Sequence, residues 1–322
     1  MTLNIVRLAA AALLSVGIVS SAAAEWMPTK PIRVIIPYAA GGTGDTIART
    51  MSDHVSARLG QPLLVDNRGG GATQIGTSAV AKAEPDGQTI LLVANTFLIN
   101  PGLFKSLPYD SVRDFAPITY AGVTPHVVVI NNDVPAKTLK EFLDLARSKP
   151  GQISYASAGT GSSFHLGTEE LKKLSGVDMV HVPYKGPQFL TDLIAGSIQM
   201  AFANATSAVP LVKTGKIRAL AVAYPARIKE LPDVPTVAEQ GYPGFESNSG
   251  FLFIAHGRTP PEVLDRLNGV FVEVLNLPEV REAMTKFGVE VMATSRSQTA
   301  DFMTKEMKRY ADIIAFSGAK AE

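Results

Sequence analysis

Short apolar runs alternate with helix-period segments along most of this chain, and that alternation restricts it to one class of architecture. Ile32-Arg33-Val34-Ile35-Ile36 reads as a buried strand ended by Pro37. From Asp45 to Leu59, apolar residues at Ile47, Met51, Val55 and Leu59 keep a four-residue spacing that lines one helix face. Gly60 follows as a natural stop. Leu63-Leu64-Val65, a helix near Gln74–Lys82 and a strand at Thr89–Ala94 complete a βαβαβ series, with Pro85-Asp86-Gly87 as a turn. Such a series needs a parallel sheet with helices packed on it, so the class is α/β.

A second set begins near His126. Val127–Ile130 reads as a strand, and Thr138 with Glu141 makes a capping box for a helix carrying Leu139, Phe142, Leu143 and Ala146. Strands are expected at Ile153–Ala156, Met179–Val182, Met200–Ala203, Ala219–Ala223 and Phe251–Ile254. Thr259-Pro260-Pro261-Glu262 then reads as a helix start, with Thr259 as N-cap and Pro260 at the first position. Amphipathic helices fill the C-terminal part, one of them with Phe302, Met303, Met307, Tyr310 and Ile314 on its packing face. No low-complexity linker separates the two sets, which predicts two intimate lobes joined by crossing strands near Phe115–Val123 and Gly244–Gly250.

The length of 322 residues agrees with two lobes, at roughly 150 residues per domain. The absence of Cys excludes thiol catalysis and Cys-based metal sites. A formal net charge of +1 and the lack of a Lys/Arg run argue against nucleic acid as partner. The first 24 residues read as an export leader: Arg7, an apolar core from Leu8 to Val19, then Ala22-Ala23-Ala24. That core is shorter than the about 20 residues a membrane anchor needs. Cleavage after Ala24 leaves 29 basic and 29 acidic residues in a periplasmic protein.

Three Gly-rich stretches fall where a strand passes into a helix. They are Pro37-Tyr38-Ala39-Ala40-Gly41-Gly42-Thr43-Gly44-Asp45, then Asn67-Arg68-Gly69-Gly70-Gly71-Ala72-Thr73, and Ser157-Ala158-Gly159-Thr160-Gly161-Ser162-Ser163. There, backbone N–H groups can approach a ligand and the helix dipole favours an anion, although glycines also simply make tight turns. The first and third loops belong to different lobes, so they can face each other across a cleft and suit a ligand with a carboxylate at each end. Tyr184 and Lys185 end a strand at the same edge, where Tyr184 could pack on a ligand and Lys185 could neutralise a carboxylate or remain a solvated surface charge. Asn95 and Phe97 follow the third strand, where ligands of open sheets gather, although Phe97 could equally be core. His165 lies just after the third loop, as a loop-orienting residue or a ligand contact, and His54 and His181 read as structural. No P-loop, G-x-G-x-x-G, G-x-S-x-G or H-E-x-x-H pattern occurs. Ser162 and Ser163 are therefore not marked as nucleophiles, and neither a catalytic residue, a cofactor nor a metal is expected.

At these residues the chain resembles the Bug solute receptors, the extracytoplasmic subunits of tripartite tricarboxylate transporters. The likeness is carried by Ile32–Arg49, Val65–Arg68, Pro85-Asp86-Gly87, Ser157–Gly161 with His165 and Glu169, and His181–Gly186. Gly215–Val222, Arg227 and Pro235-Thr236 with Glu239 and Gly241 extend it over essentially the whole mature chain. The resemblance implies a two-lobed periplasmic binding protein of type II-like fold, each lobe a mainly parallel sheet flanked by helices, closing on a small carboxylate without catalysis. It implies lobe 1 at residues 25–124 and 245–322, lobe 2 at 125–244, and delivery of the ligand by a monomer to two membrane permease subunits. A sensor feeding a kinase would need the same cleft.

Carried over by position, the contacts fall on Ala39, Ala40, Gly41, Thr43, Ser157, Gly159, Thr160 and Gly161, with Tyr184, Lys185 and Asn204 behind them, while Asp45 more plausibly caps its helix than touches an anion; Ser162 of the same loop is a further candidate contact. Two departures from the family pattern bear on the ligand. Ala203 stands where members often carry Asp, which argues against an amino-acid ligand, and Gly69-Gly70-Gly71 lacks the usual Pro. With Phe97 and Tyr184 at hand, an aromatic carboxylate ranks beside citrate-like acids.

Overall fold

The computed structural model describes residues 25–184, 186 and 188–321, so the expected leader lies outside the described residues. In chain order the first part runs β1 (Ile32–Ile36), α1 (Thr43–Leu59), β2 (Leu63–Asn67), α2 (Gln74–Ala81), β3 (Thr89–Ala94) and α3 (Thr96–Leu103). The 16-residue strand β4 (Phe115–Ile130) follows, and after it come α4 (Leu139–Ser148), β5 (Ser154–Ser157), α5 (Ser163–Ser175) and β6 (Val180–Pro183). Next are α6 (Phe189–Ala195), β7 (Met200–Asn204), α7 (Ala205–Lys213) and β8 (Arg218–Ala223). Strand β9 (Asn248–His256) returns to the first part, which ends with α8 (Pro261–Leu275), α9 (Pro278–Lys286), β10 (Glu290–Val291) and α10 (Arg296–Ser317).

The fold is α/β with two lobes built on one curled, mixed sheet, ordered β2-β1-β3-β9-β4-β7-β5-β6. The βαβ units supply its parallel ladders: β1 with β2 and β3, and β5 with β6 and β7. The crossing strands β4 and β9 supply the antiparallel ones. Within β4, Pro125 is paired with Asn248 of β9, whereas His126 is paired with Asn204 of β7 and Ala223 of β8. The strand therefore changes partners between two adjacent residues.

Side chains alternate across the sheet with the two-residue period of a strand. Val34, Ile36, Ile90, Leu92 and Phe253 pack toward α1 and α8, while Ile35, Leu91, Val93 and Leu252 pack toward α3 and α10. Helix α8 buries Val263, Leu264, Leu267, Val270, Phe271 and Val274, each worth about 1.5–3 kcal/mol when removed from water. The second lobe repeats the sandwich, with Phe142, Tyr155 and Leu171 on one side and Phe189, Leu193 and Ala208 on the other.

Several local expectations hold. Gly60 closes α1 in the left-handed conformation at φ 68°, a geometry that favours glycine. Thr138 caps α4 by accepting the Glu141 amide, but the Glu141 carboxylate reaches one residue further back, to the Lys137 amide. Met303, Tyr310 and Ile314 are buried on α10. Others are corrected. Helix α8 begins at Pro261 with Pro260 as its uncapped N-cap, so Thr259 does not cap it. The run at Phe115–Val123 and the strand at Val127–Ile130 are one continuous strand, and α3 forms with Pro101 inside it.

Candidate functional site

The first Gly-rich loop leaves β1 at Pro37 and enters α1 at Thr43, and three side chains shape it. The Tyr38 hydroxyl lies 2.5 Å from Thr96 Oγ1 and accepts from the Ala94 amide. Asn67 Nδ2 donates to the Tyr38 carbonyl. Asp45 Oδ2 accepts the Gly41 amide at 3.0 Å and Arg49 Nε at 2.9 Å. The Arg49 hydrogen bond, aided by the Gly41 amide, holds the Asp45 carboxyl below its ordinary range despite burial. Asp45 thus pins the turn just before its own helix, close to the expected capping role. The Gly41 amide is then engaged inside the protein and is not a free ligand donor. At the same helix Gly42 is an N-cap without a side-chain cap, and the first-turn amides of an α-helix have no intrahelical acceptor. Ala39 and Ala40 are exposed and Thr43 is half-buried at this uncapped end.

The second loop lies against the first. A Cβ built on Gly69 would stand 3.6 Å from the Tyr38 carbonyl carbon, which is ordinary contact. Ala72 and Thr73 follow with φ of 48° and 76°, two consecutive non-glycine residues in a conformation that costs of order 1 kcal/mol or more each. Asn100 Nδ2 holds them through the Ala72 carbonyl and Thr73 Oγ1.

The third loop joins β5 to α5, and its internal hydrogen bonds leave only some of its amides free. Ser157 is fully buried, and its Oγ accepts the Gly159 amide, donates to the Gly159 carbonyl and meets His181 Nε2 at 2.7 Å. The Gly161 amide donates to His165 Nδ1 at 3.0 Å. Ser162 caps α5 by accepting the His165 amide, and its own amide donates to the Gly159 carbonyl. Among the described residues, the Ala158 and Thr160 amides have no protein acceptor, and Thr160 is exposed. The amides of Gly159 and Gly161 are internally committed, which corrects their expected role as direct donors. Gly161, at φ 75°, also touches the other lobe: a Cβ there would stand 2.2 Å from Leu103 Cδ2 on α3.

Beneath this loop His165 and His181 stack face to face, with ring centroids 3.8 Å apart and planes within 11°. Burial lowers both to about 4. Tyr155 stacks on His181, and its hydroxyl donates to Glu169 Oε1, which also accepts Lys172 Nζ at 2.7 Å. The loop-orienting alternative for His165 is the one its hydrogen bond matches. His181 is structural, as expected, but its register opposite Tyr155 puts it at the loop, which strand alternation alone does not reveal.

Other candidates lie elsewhere. Phe97 is fully buried and packs against Tyr109 and Phe115, so it is core and not a ligand-facing ring. Asn95 is buried at the lobe crossing, where Nδ2 donates to the Asn248 carbonyl and the Tyr310 hydroxyl, so those donors do not reach a ligand. The Tyr184 hydroxyl donates to Asp192 Oδ2, which pushes the phenol up to about 12, while the Tyr184 amide donates to the Ser157 carbonyl. Lys185 lies outside the described residues. Asn204 is half-buried, and its Oδ1 accepts from Ser249 Oγ. Ser249 Oγ in turn meets the fully buried His126, which also contacts Ser247. Ala203 is itself fully buried, in a core cluster of the second lobe against which Ala158 of the third loop and Tyr184 also pack. His54 sits at the surface, 4.0 Å from Glu279, as a structural residue.

Among the described residues no group of three or more His, Asp or Glu could hold a metal, and no helix is long and apolar enough to cross a membrane. A surface depression lined by Pro117, Asn268, Arg296 and Ala300 contains none of the loop residues.

With this geometry in view, the chain matches a family model described as the tripartite tricarboxylate transporter family receptor over residues 47–318. A relative from Pseudomonas sp. strain P51, described as a protein in the tcbD-tcbE intergenic region, is 36% identical over 89% of this chain and 86% of its own. Protein BugT of Bordetella pertussis is 33% identical over 94% of both chains. Among solved structures, an R. palustris protein with adipate superposes with a TM-score of 0.79 at 30% identity, over 91% of this chain and 99% of that one. MatC from Rhodopseudomonas palustris with bound malate gives 0.76 at 29% identity, over 89% and 100%. A further solved structure, the periplasmic binding protein BugD, superposes with a TM-score of 0.77 at 30% identity, over 92% of this chain and 100% of that one.

Proposed function

This chain belongs to the tripartite tricarboxylate transporter family of receptors, and from that premise we propose that it captures a small carboxylate between its lobes and delivers it to a membrane permease. The observation that carries this reading is that two loops, each leading into a helix N-terminus, retain amides with no protein acceptor among the described residues; we take the two loops to face each other across the cleft. Ala39, Ala40 and Thr43 supply them on one side, and Thr160 with the Ser162 hydroxyl and its neighbour Ala158 on the other. Oriented amides hold a carboxylate by charge-assisted hydrogen bonds without needing a fixed cation. Two such ends suit a ligand with a carboxylate at each terminus, as adipate and malate have in the two neighbours.

With Phe97 in the core, the case for an aromatic acid rests on Tyr184 alone, so aliphatic diacids rank first. We place the hinge where β4 changes partners, between Pro125 and His126, with lobe 1 at residues 25–124 and 245–322. Closure buries the ligand and supplies most of the affinity. In this reading the leader at 1–24 is removed on export and the receptor works as a monomer in the periplasm.

Thermal unfolding of the chain from Glu25 onward, refolded to strip any carried ligand, tests the reading against adipate, malate, citrate, an aromatic diacid and glutamate. A ligand at 100 times its Kd stabilises the folded state by about 2.7 kcal/mol, which a two-lobed protein registers as several degrees. A selective shift with a diacid supports the proposal, and a flat panel overturns it.

A further inference from the structure

We infer that the stacked His165–His181 pair, acting with Ser157, is the positioning device that selects which amides of the third loop meet the ligand. The inference rests on the carboxylate-receptor reading above and names the residues that give its loop a binding shape.

The hydrogen-bond partners guide the assignment of the protons. Gly161 N–H donates to His165 Nδ1, so that nitrogen carries a lone pair and the neutral ring keeps its proton on Nε2. Ser157 has one hydroxyl proton, which goes to the Gly159 carbonyl. With that proton assigned to the Gly159 carbonyl, the imidazole donates across the 2.7 Å contact from His181 Nε2, and the Gly159 amide completes the set at the same oxygen. Two neutral rings with opposite duties, one accepting and one donating, thus hold two glycines of a seven-residue loop from beneath.

Those glycines have φ of 128° and 75°, values that leave the loop little conformational preference of its own. Without the inward acceptors, the Gly159 and Gly161 amides would be free to turn outward and the Thr160 amide between them would have no fixed direction. Stacking on Tyr155, itself tied to Glu169 and Lys172, gives the pair a rigid floor. The histidines are positioning residues: they act on the ligand only through the loop.

Conservative substitutions separate positioning from packing. Asn at residue 165 can present an amide oxygen near the place of Nδ1, and Gln at 181 can present an NH₂ near the place of Nε2, whereas Phe at either position keeps the flat ring and loses the polar atom. Amide hydrogen exchange by NMR on the ligand-free protein reads the loop directly. In the wild type, Gly161 exchanges at least about tenfold more slowly than Thr160, because only the former has an acceptor. His165→Phe removes that protection and His165→Asn restores it, whereas His181→Phe leaves Ser157 Oγ in place but unanchored, so it lowers the Gly159 protection in part and His181→Gln restores it. Titration with adipate and with malate then shows about a tenfold or greater loss of affinity in the Phe variants and recovery to within about threefold in the Asn and Gln variants.

Equal behaviour of the Phe and polar variants, or equal exchange of Gly161 and Thr160 in the wild type, overturns the inference. Wild-type protein that binds neither acid counts against the receptor reading, and the exchange pattern still decides whether the histidines hold the loop.

Discussion

Arg309 on α10 and Glu170 on α5 form an ion pair at 2.6 Å that ties the last helix of lobe 1 to the helix rising from the third loop. The same guanidinium bonds both oxygens of Glu306 and the carbonyl of Glu246, so one cation serves several acceptors in a largely buried setting. Burial pushes the Glu170 carboxyl up, and Arg309 opposes that shift. Leu166, also on α5, packs in the core cluster of lobe 1. Helix α5 is therefore held by contacts to both lobes.

Replacing Arg309 with Ala leaves Glu170 and Glu306 without their shared cation. Breaking a buried pair on one side costs about 3–5 kcal/mol. Urea denaturation should show a loss near the lower end of that range, because Glu170 can take up a proton. A loss below about 0.5 kcal/mol would mean that the pair behaves as an exposed one.

Acid should weaken the fold through its buried histidines. Burial, with the Arg309 charge adding to it, lowers His126 to about 3, and burial lowers His165 and His181 to about 4. At pH above about 6.5 these rings are neutral folded or unfolded and contribute no pH dependence. Between about 6.5 and 4 the unfolded chain binds protons that the folded chain refuses, so stability falls as pH falls. Melting temperatures should drop steadily from pH 7 to pH 4.5, and the slope should be shallower in a His165→Asn, His181→Gln double variant. An unchanged slope would contradict the assignment to these rings.

Much of the scaffold was legible because its signals are local. The β1 apolar run, the four-residue stripe of α1, the Gly60 stop and the Thr138 cap each depend on residues within one or two turns. Strand β4 was read as two pieces because Pro117 and Pro125 interrupt its pattern; pairing to β9 on one side of Pro125 and to β7 and β8 on the other keeps it extended. Helix α3 was hidden by Pro101.

At the site, the loops were visible from their glycines, but the fate of each amide was not. The Gly161 amide is taken by a histidine four residues on, a spacing that could have been noticed beside the loop. The Gly159 amide is taken by Ser157, whose oxygen is held by His181 from a neighbouring strand, and that depends on register. The two alternatives for Phe97, core or ligand-facing, are not separable from the sequence, because position after a strand says nothing about which way a ring turns; its burial decides for core.

Asp45 should matter more for the loop than for its ion pair. Arg49 is 58% exposed on its side chain, so that partnership adds little, whereas the Gly41 amide has no other acceptor. Asp45→Ala should cost about 1 kcal/mol in thermal or urea unfolding and Asp45→Asn clearly less, since an amide oxygen still accepts from Gly41. Because the carboxyl is held below its usual range, its contribution is present above about pH 3.9 and lost as pH falls through the lowered value. Equal losses in the two variants would assign the effect to the ion pair instead.

Gly161→Ala tests the contact between lobes. A Cβ would meet Leu103 at 2.2 Å and φ 75° is costly for Ala, so a loss of about 1–3 kcal/mol is expected. A cycle with Leu103→Ala should recover the steric part and leave the backbone part. Strict additivity would show that Leu103 gives way freely.

Calorimetric titration of stripped wild type and Thr160→Asp protein with adipate, malate and citrate asks whether the third loop holds a carboxylate. Thr160 is exposed between two internally held glycines, so Asp should leave the melting temperature within about a degree while placing a negative charge where the carboxylate belongs. The wild type should bind at least one of these acids saturably and one-to-one, and the variant should lose about a hundredfold or more in affinity. Undiminished affinity in Thr160→Asp, or no binding of any of the three acids by the wild type, would contradict the carboxylate reading of this loop.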